Sequence, residues 1–74
     1  MMPLAMAKAG KNLRLSDIHG GQGMRRRLTE MGFVPGVVFS VISGSTKGPL
    51  IVNLSNSRIA LGNGVAMKII VEEV

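Results

Sequence analysis

Asp17, His19 and Glu30 are the side chains whose types could do acid, base or metal chemistry together, and His19 is the single histidine among 74 residues. A nucleophile with an oriented base would have to be built around that imidazole, with Ser16 and Asp17 as its neighbours in sequence. Adjacent residues of a strand point to opposite faces, so Ser16 and Asp17 do not converge on one proton. A helical turn can carry Glu30 towards Asp17 and His19. Two or three hard ligands without a thiolate make at most a weak divalent-ion site, and their spacing is not that of a dedicated one. No catalytic residue, metal ligand or cofactor is assigned, and the chain reads as no enzyme.

Charge is the stronger chemical signal. Nine Lys and Arg against four Asp and Glu give a net charge of +5, which favours encounter with acidic surfaces of any kind. Arg25, Arg26 and Arg27 are consecutive, and successive helical residues lie about 100° apart, so they fan over a wide arc and cannot line one phosphate row. Arg26 and Glu30 are four apart and can pair, in the weaker order with the base first. Arg27 lies beside Met24 and Met31, where its stem can cover apolar surface. Nucleic acid is disfavoured as a partner because the chain has two Phe and no Tyr or Trp to stack on bases. The same shortage argues against a groove for proline-rich peptides.

These groups must be positioned by short elements. Met24, Leu28 and Met31 recur at i, i+4 and i+7, which predicts a helix over about 23–32 with one apolar face. Gly32 is its expected left-handed C-terminal cap, and Pro35-Gly36 the turn that follows. Leu4 and Met6 suggest a short first strand at a sheet edge, ending near Ala9-Gly10. Leu13, Leu15 and Ile18 mark a second over 12–18, and the His19 to Gly23 link leads into the helix without a Ser, Thr, Asp or Asn cap. From Val37 the period is two. Strands are expected over 37–43 and from Leu50 to Leu54, then a tight turn at Ser55-Asn56 and a strand over 58–61 with Ile59 and Leu61 inward. A helical turn near 63–66 precedes a last strand, in which Met67, Ile69 and Val71 share a face. Phe39 is expected to be buried and Phe33 to cover one end of the core. Met24, Met31 and Met67 are read as core packing rather than soft-metal ligands. The 43–49 loop is read as the most mobile segment.

Five or six short strands with one helix are too few for a two-sheet sandwich, and a mainly β, small closed barrel would pair its own edges. One domain over 1–74 is expected, held by packing alone since there is no cysteine. MMPLAMA lacks a preceding positive charge and stops at Lys8, unlike a secretory signal, and no apolar run reaches the roughly 18 to 20 residues that cross a bilayer. A cytoplasmic location without membrane insertion is the expectation.

Arg27-Leu28, then Glu30-Met31-Gly32-Phe33, then Pro35-Gly36 and a strand, resemble the signature of ferrous iron transport protein A, the FeoA family. Pro49 opening a strand, and Ile59-Ala60-Leu61 before Ala66 and Ile69, are similar to its second half, so the resemblance runs from about Leu4 to Val71. It implies an SH3-like barrel and a non-enzymatic cytosolic partner of the ferrous iron permease FeoB, which bears a cytosolic GTPase domain. It further implies docking on that permease and modulation of iron uptake, without carrying iron. On this reading Arg25, Arg26, Lys47 and Arg58 meet the partner by charge, with Glu30 at the helix end and apolar surface at Phe33. Two alternatives come from other classes: an accessory module of a metal-responsive transcription regulator, and a weak divalent-metal-binding protein, which ferrous or zinc ions would stabilise against heat. An uncovered edge strand would permit weak self-association.

Overall fold

The computed structural model describes residues 1–44 and 48–74. Where the period of two predicts strands, strands form. They are β1 (Met2–Pro3), β2 (Asn12–Ile18), β3 (Val38–Ser43), β4 (Leu50–Leu54), β5 (Ser57–Leu61) and β6 (Ile69–Glu73), in one sheet of order β1-β6-β2-β3-β4-β5. Every neighbouring pair is antiparallel. Helix α1 (Gln22–Glu30) lies between β2 and β3, and the short α2 (Asn63–Ala66) between β5 and β6.

The inner face follows from alternation. Leu50, Val52 and Leu54 of β4 are buried, as are Phe39 and Val41 of β3 and Ile69 and Val71 of β6. In β2 the buried residues are Leu13, Leu15 and Ile18, a step of two and then three. A bulge absorbs the extra residue: Leu15 pairs with Val71 and Asp17 with Ile70, leaving Ser16 unpaired between them. The β4–β5 hairpin turns through Ser55 and Asn56 at φ 52° and 64°, both positive as a two-residue turn of the hairpin-compatible hand requires.

The end of α1 is set by two hydrogen bonds and one glycine. Gly32 sits at φ +106°, its N–H donates to the Thr29 carbonyl at 3.0 Å, and the Phe33 N–H donates to the Leu28 carbonyl at 2.9 Å. This is the Schellman arrangement, in which the first residue beyond the cap is left-handed and the next reaches back over the last turn. Its apolar contact falls between Leu28 and Phe33, both buried. The Gly36 N–H, at φ +89°, then donates to the Leu15 carbonyl at 2.9 Å and returns the chain to the sheet.

The expected edge closure does not form: β1 and β5 are the two ends of the strand order and do not pair. Helical segments complete the interior instead, since Leu4, Leu28, Phe33 and Ala66 join the strands' side chains in one core. Two local expectations also change. The first strand stops at Pro3, which has no N–H to extend a ladder, and Leu4–Met6 form a 3-10 turn whose closing Ala7 N–H donates to the Leu4 carbonyl at 3.0 Å. Met67 is not on the inner face of the last strand. The last turn of α2 runs through it, with its N–H donating to the Asn63 carbonyl at 2.9 Å, and it is 52% exposed. No helix among the described residues is long and apolar enough to cross a membrane.

Candidate functional site

Helix α1 is nine residues long and buries one of them, Leu28, in the core. Met24 is half-buried against the core and Met31 is 39% exposed, so the apolar stripe is wider than the core it meets. The remainder faces a groove of about 400 Å³, lined by Met24, Arg27 and Leu28 of α1 and its C-cap Met31, and by Ala60, Leu61 and Val65 across from them. The expectation that Met31 packs in the core is thereby corrected. The helix is short and its end is pinned at Gly32, which leaves the last turn of the stripe beyond the cover of the sheet.

The three arginines have three different surroundings. Arg25 is tied down: its guanidinium lies 3.6 Å from the Asp17 carboxylate, and its Nε donates to the Gly20 carbonyl at 3.3 Å. Arg26 is exposed and makes no ion pair with Glu30, which is also exposed, so the expected pair does not form in this weaker orientation. Arg27 is exposed and lines the groove. Arg58, on the outer face of β5, is exposed and has no ion pair among the described residues. Lys47 lies outside the described residues.

Phe33 cannot present apolar surface to a partner. It is fully buried, packed edge-to-face on Phe39 with ring centroids 5.5 Å apart and an interplanar angle of 87°. Phe39 is 3% exposed, so neither ring offers a face on which a base could stack. The exposed apolar surface beside Phe33 belongs to Met31 and Val34.

Of the three groups with acid, base or ligand chemistry, the fold brings two together. The His19 Nε2 lies 3.2 Å from the Asp17 carboxylate, at the point where the β2 bulge ends. Glu30, at the far end of α1, does not join them, and no three His, Asp or Glu side chains cluster among the described residues. Arg25 occupies the third place instead, a contact that the sequence spacing alone did not suggest. Its signal was present, because a helix starting right after β2 places its first basic residue over the strand end.

The Asp17 carboxyl is held below the ordinary aspartate range, chiefly because it accepts the Ile18 N–H at 2.8 Å; loss of solvation opposes this, and His19 and Arg25 beside it lower it further. A folded-state value lower than the unfolded one means that Asp17 adds stability above the unfolded pKa. That contribution is lost as pH falls through the folded value. Arg25→Ala is expected to move the Asp17 midpoint upward without restoring the ordinary value, because the Ile18 hydrogen bond persists. Carboxyl NMR titration reads this directly, and an unmoved midpoint would show that Arg25 contributes nothing to the cluster.

Residues 2–73 match the FeoA domain family. The chain is 42% identical over 73 residues to the "Putative Fe(2+) transport protein A" of Methanocaldococcus jannaschii, covering 99% of this chain and 88% of that one. Among solved structures, it resembles the crystal structure of an iron uptake regulatory protein (FeoA) with a TM-score of 0.92 and 30% identity, over 99% of this chain and 97% of that one. It also resembles the zinc complex of Stenotrophomonas maltophilia FeoA, described as a prokaryotic SH3 domain protein. There the TM-score is 0.79 and the identity 27%, over 97% and 91% of the two chains. The sheet described above is thus an SH3-like fold with a helix inserted between its second and third strands.

Proposed function

The chain belongs to the FeoA family, and on that premise we propose that it is a non-enzymatic cytoplasmic accessory protein of ferrous iron uptake, docking on the cytosolic part of an FeoB-type permease. The observation that supports this most is the likeness over nearly the whole chain to a protein named for Fe(2+) transport. The exposed basic face of α1 fits the proposed role, since charge outside ion pairs speeds encounter with an acidic partner surface. Arg26, exposed and outside any ion pair among the described residues, is one proposed contact, with Arg25, Glu30, Lys47 and Arg58 as further ones. The regulator-module reading gains no support from the helices. α1 and α2 are separated by three strands and form no helix-turn-helix.

Docking alone would not change transport or GTP hydrolysis. A partner shifts a conformational equilibrium only by its differential affinity for the two states, so modulation requires tighter binding to one state of the permease. The test is a titration of isotopically labelled chain with the permease's cytosolic GTPase portion, in two nucleotide states. Amide shifts on residues 25–31 and at Arg58 are expected. Joint Arg25→Ala and Arg26→Ala substitution should weaken binding by about tenfold and flatten its salt dependence. Unchanged affinity and salt dependence in the double variant would remove the arginines from the interface.

A further inference from the structure

The open edge of β5 and the groove beside it form one continuous feature. β5 ends the strand order and pairs on one side only, with β4. The hairpin turn has two residues, so Leu54 and Ser57 form its hydrogen-bonded closing pair, and the alternation makes Val52–Ile59 and Leu50–Leu61 the next bonded pairs. Arg58 and Ala60 therefore turn their backbone N–H and C=O outward. No backbone hydrogen bond from another segment reaches them among the described residues. Ala60 and Leu61 also form one wall of the groove whose other wall is α1.

An unpaired edge of this kind is a template for another strand, and most of the common ways of blunting one are missing here. β5 contains no proline or bulge, and α1 faces it only across the open groove; its single charge, Arg58, is on the outer face. We propose that β5 accepts an extended acidic segment of a partner protein as an added strand, with one apolar side chain of that segment seated between Met24, Met31 and Val65. Backbone bonds to Arg58 and Ala60 would supply affinity, and the groove would select the apolar anchor. The acidic character follows from charge: Arg27 lines the groove and Arg58 sits on the strand itself, both exposed and outside any ion pair among the described residues. The same charges argue against a second copy, because antiparallel β5–β5 pairing would bring Arg58 near its counterpart between two bodies of charge +5. This inference deepens the docking reading by naming the kind of segment, and it can fail alone.

The test uses the intact chain. Short random peptides displayed on phage are panned against it, and the selected peptides are synthesised and titrated into isotopically labelled protein. Expected are acidic peptides with one apolar residue that shift the Arg58 and Ala60 amides and slow their hydrogen exchange. N-methylation of alternate peptide amides should cost at least about tenfold in affinity, as should Arg58→Glu. Val65→Asp, at a half-buried position, tests the groove with melting checked in parallel. The proposal is overturned by an empty selection, by peptides without acidic bias, by shifts away from β5, or by indifference to N-methylation. Concentration-dependent shifts at Arg58 and Ala60 without peptide would make the occupant a second copy and equally overturn it. If the permease portion binds while selected peptides fail to compete, the docking reading survives and the strand-addition proposal does not.

Discussion

Phe33→Ala is expected to remove about 4 kcal/mol of stability, the usual cost of deleting a fully buried aromatic ring from a core that cannot collapse around the gap. Phe33 has no exposed surface, and its loss also removes the edge-to-face contact with Phe39, itself about 1 kcal/mol. A 74-residue domain is stabilised by roughly 4 to 11 kcal/mol in all, so the variant sits at or near the edge of folding. Urea unfolding followed by circular dichroism is the measurement, since the chain has no Trp. A loss under about 1 kcal/mol would mean that the ring is not an anchor of the core. Phe33→Leu keeps most of the volume and should cost about 1.5 kcal/mol. It also separates fold from docking: the leucine variant should bind the partner normally, because the ring acts beneath the surface.

Much of the fold was legible because local signals agreed with each other. Gly32 after a helical stripe, Pro35-Gly36 after that, and two turn residues between alternating runs each specify a backbone state that few other residues tolerate. The bulge at Ser16 was written as a break in period, from Leu13 and Leu15 to Ile18, though only pairing with β6 shows which residue is extra. What was not legible depended on distant partners. Whether the sheet closes depends on whether its two end strands meet, and β1, two residues long, pairs only with β6. The same holds for the site. Helical spacing put Met24 and Met31 on an apolar face correctly, but periodicity cannot say how much of that face the rest of the molecule covers. The exposure of Met31 and the burial of Phe33, two residues later, are opposite outcomes for two apolar side chains in one turn. Arg25 and Arg26 are likewise equivalent in sequence and differ in the structure, because Asp17 lies under only one of them.

Gly32→Ala should cost about 2 kcal/mol and lower the melting temperature by roughly 10 °C, a large effect for one added methyl group. Two causes combine. At φ +106° an alanine is strained whatever the space around it, and the added carbon would lie 3.1 Å from Leu54 Cδ2, so the core must give by a few tenths of an ångström. Gly36→Ala separates them. Its φ of +89° is similar but nothing lies within 4 Å of the added carbon, so it reports backbone strain alone and should cost about half as much. Equal losses at the two positions would show that the Leu54 contact is costless. No loss at Gly32 would mean that the Schellman end can be built another way. The second readout is the site itself, since Gly32 fixes where α1 stops and thus where Met31 meets the groove. An alanine there should speed hydrogen exchange of the Phe33 amide, which donates to Leu28, more than that of the β4 amides. Uniform acceleration would instead mean that the helix end opens only when the whole domain does, and that the groove and the sheet are a single cooperative unit.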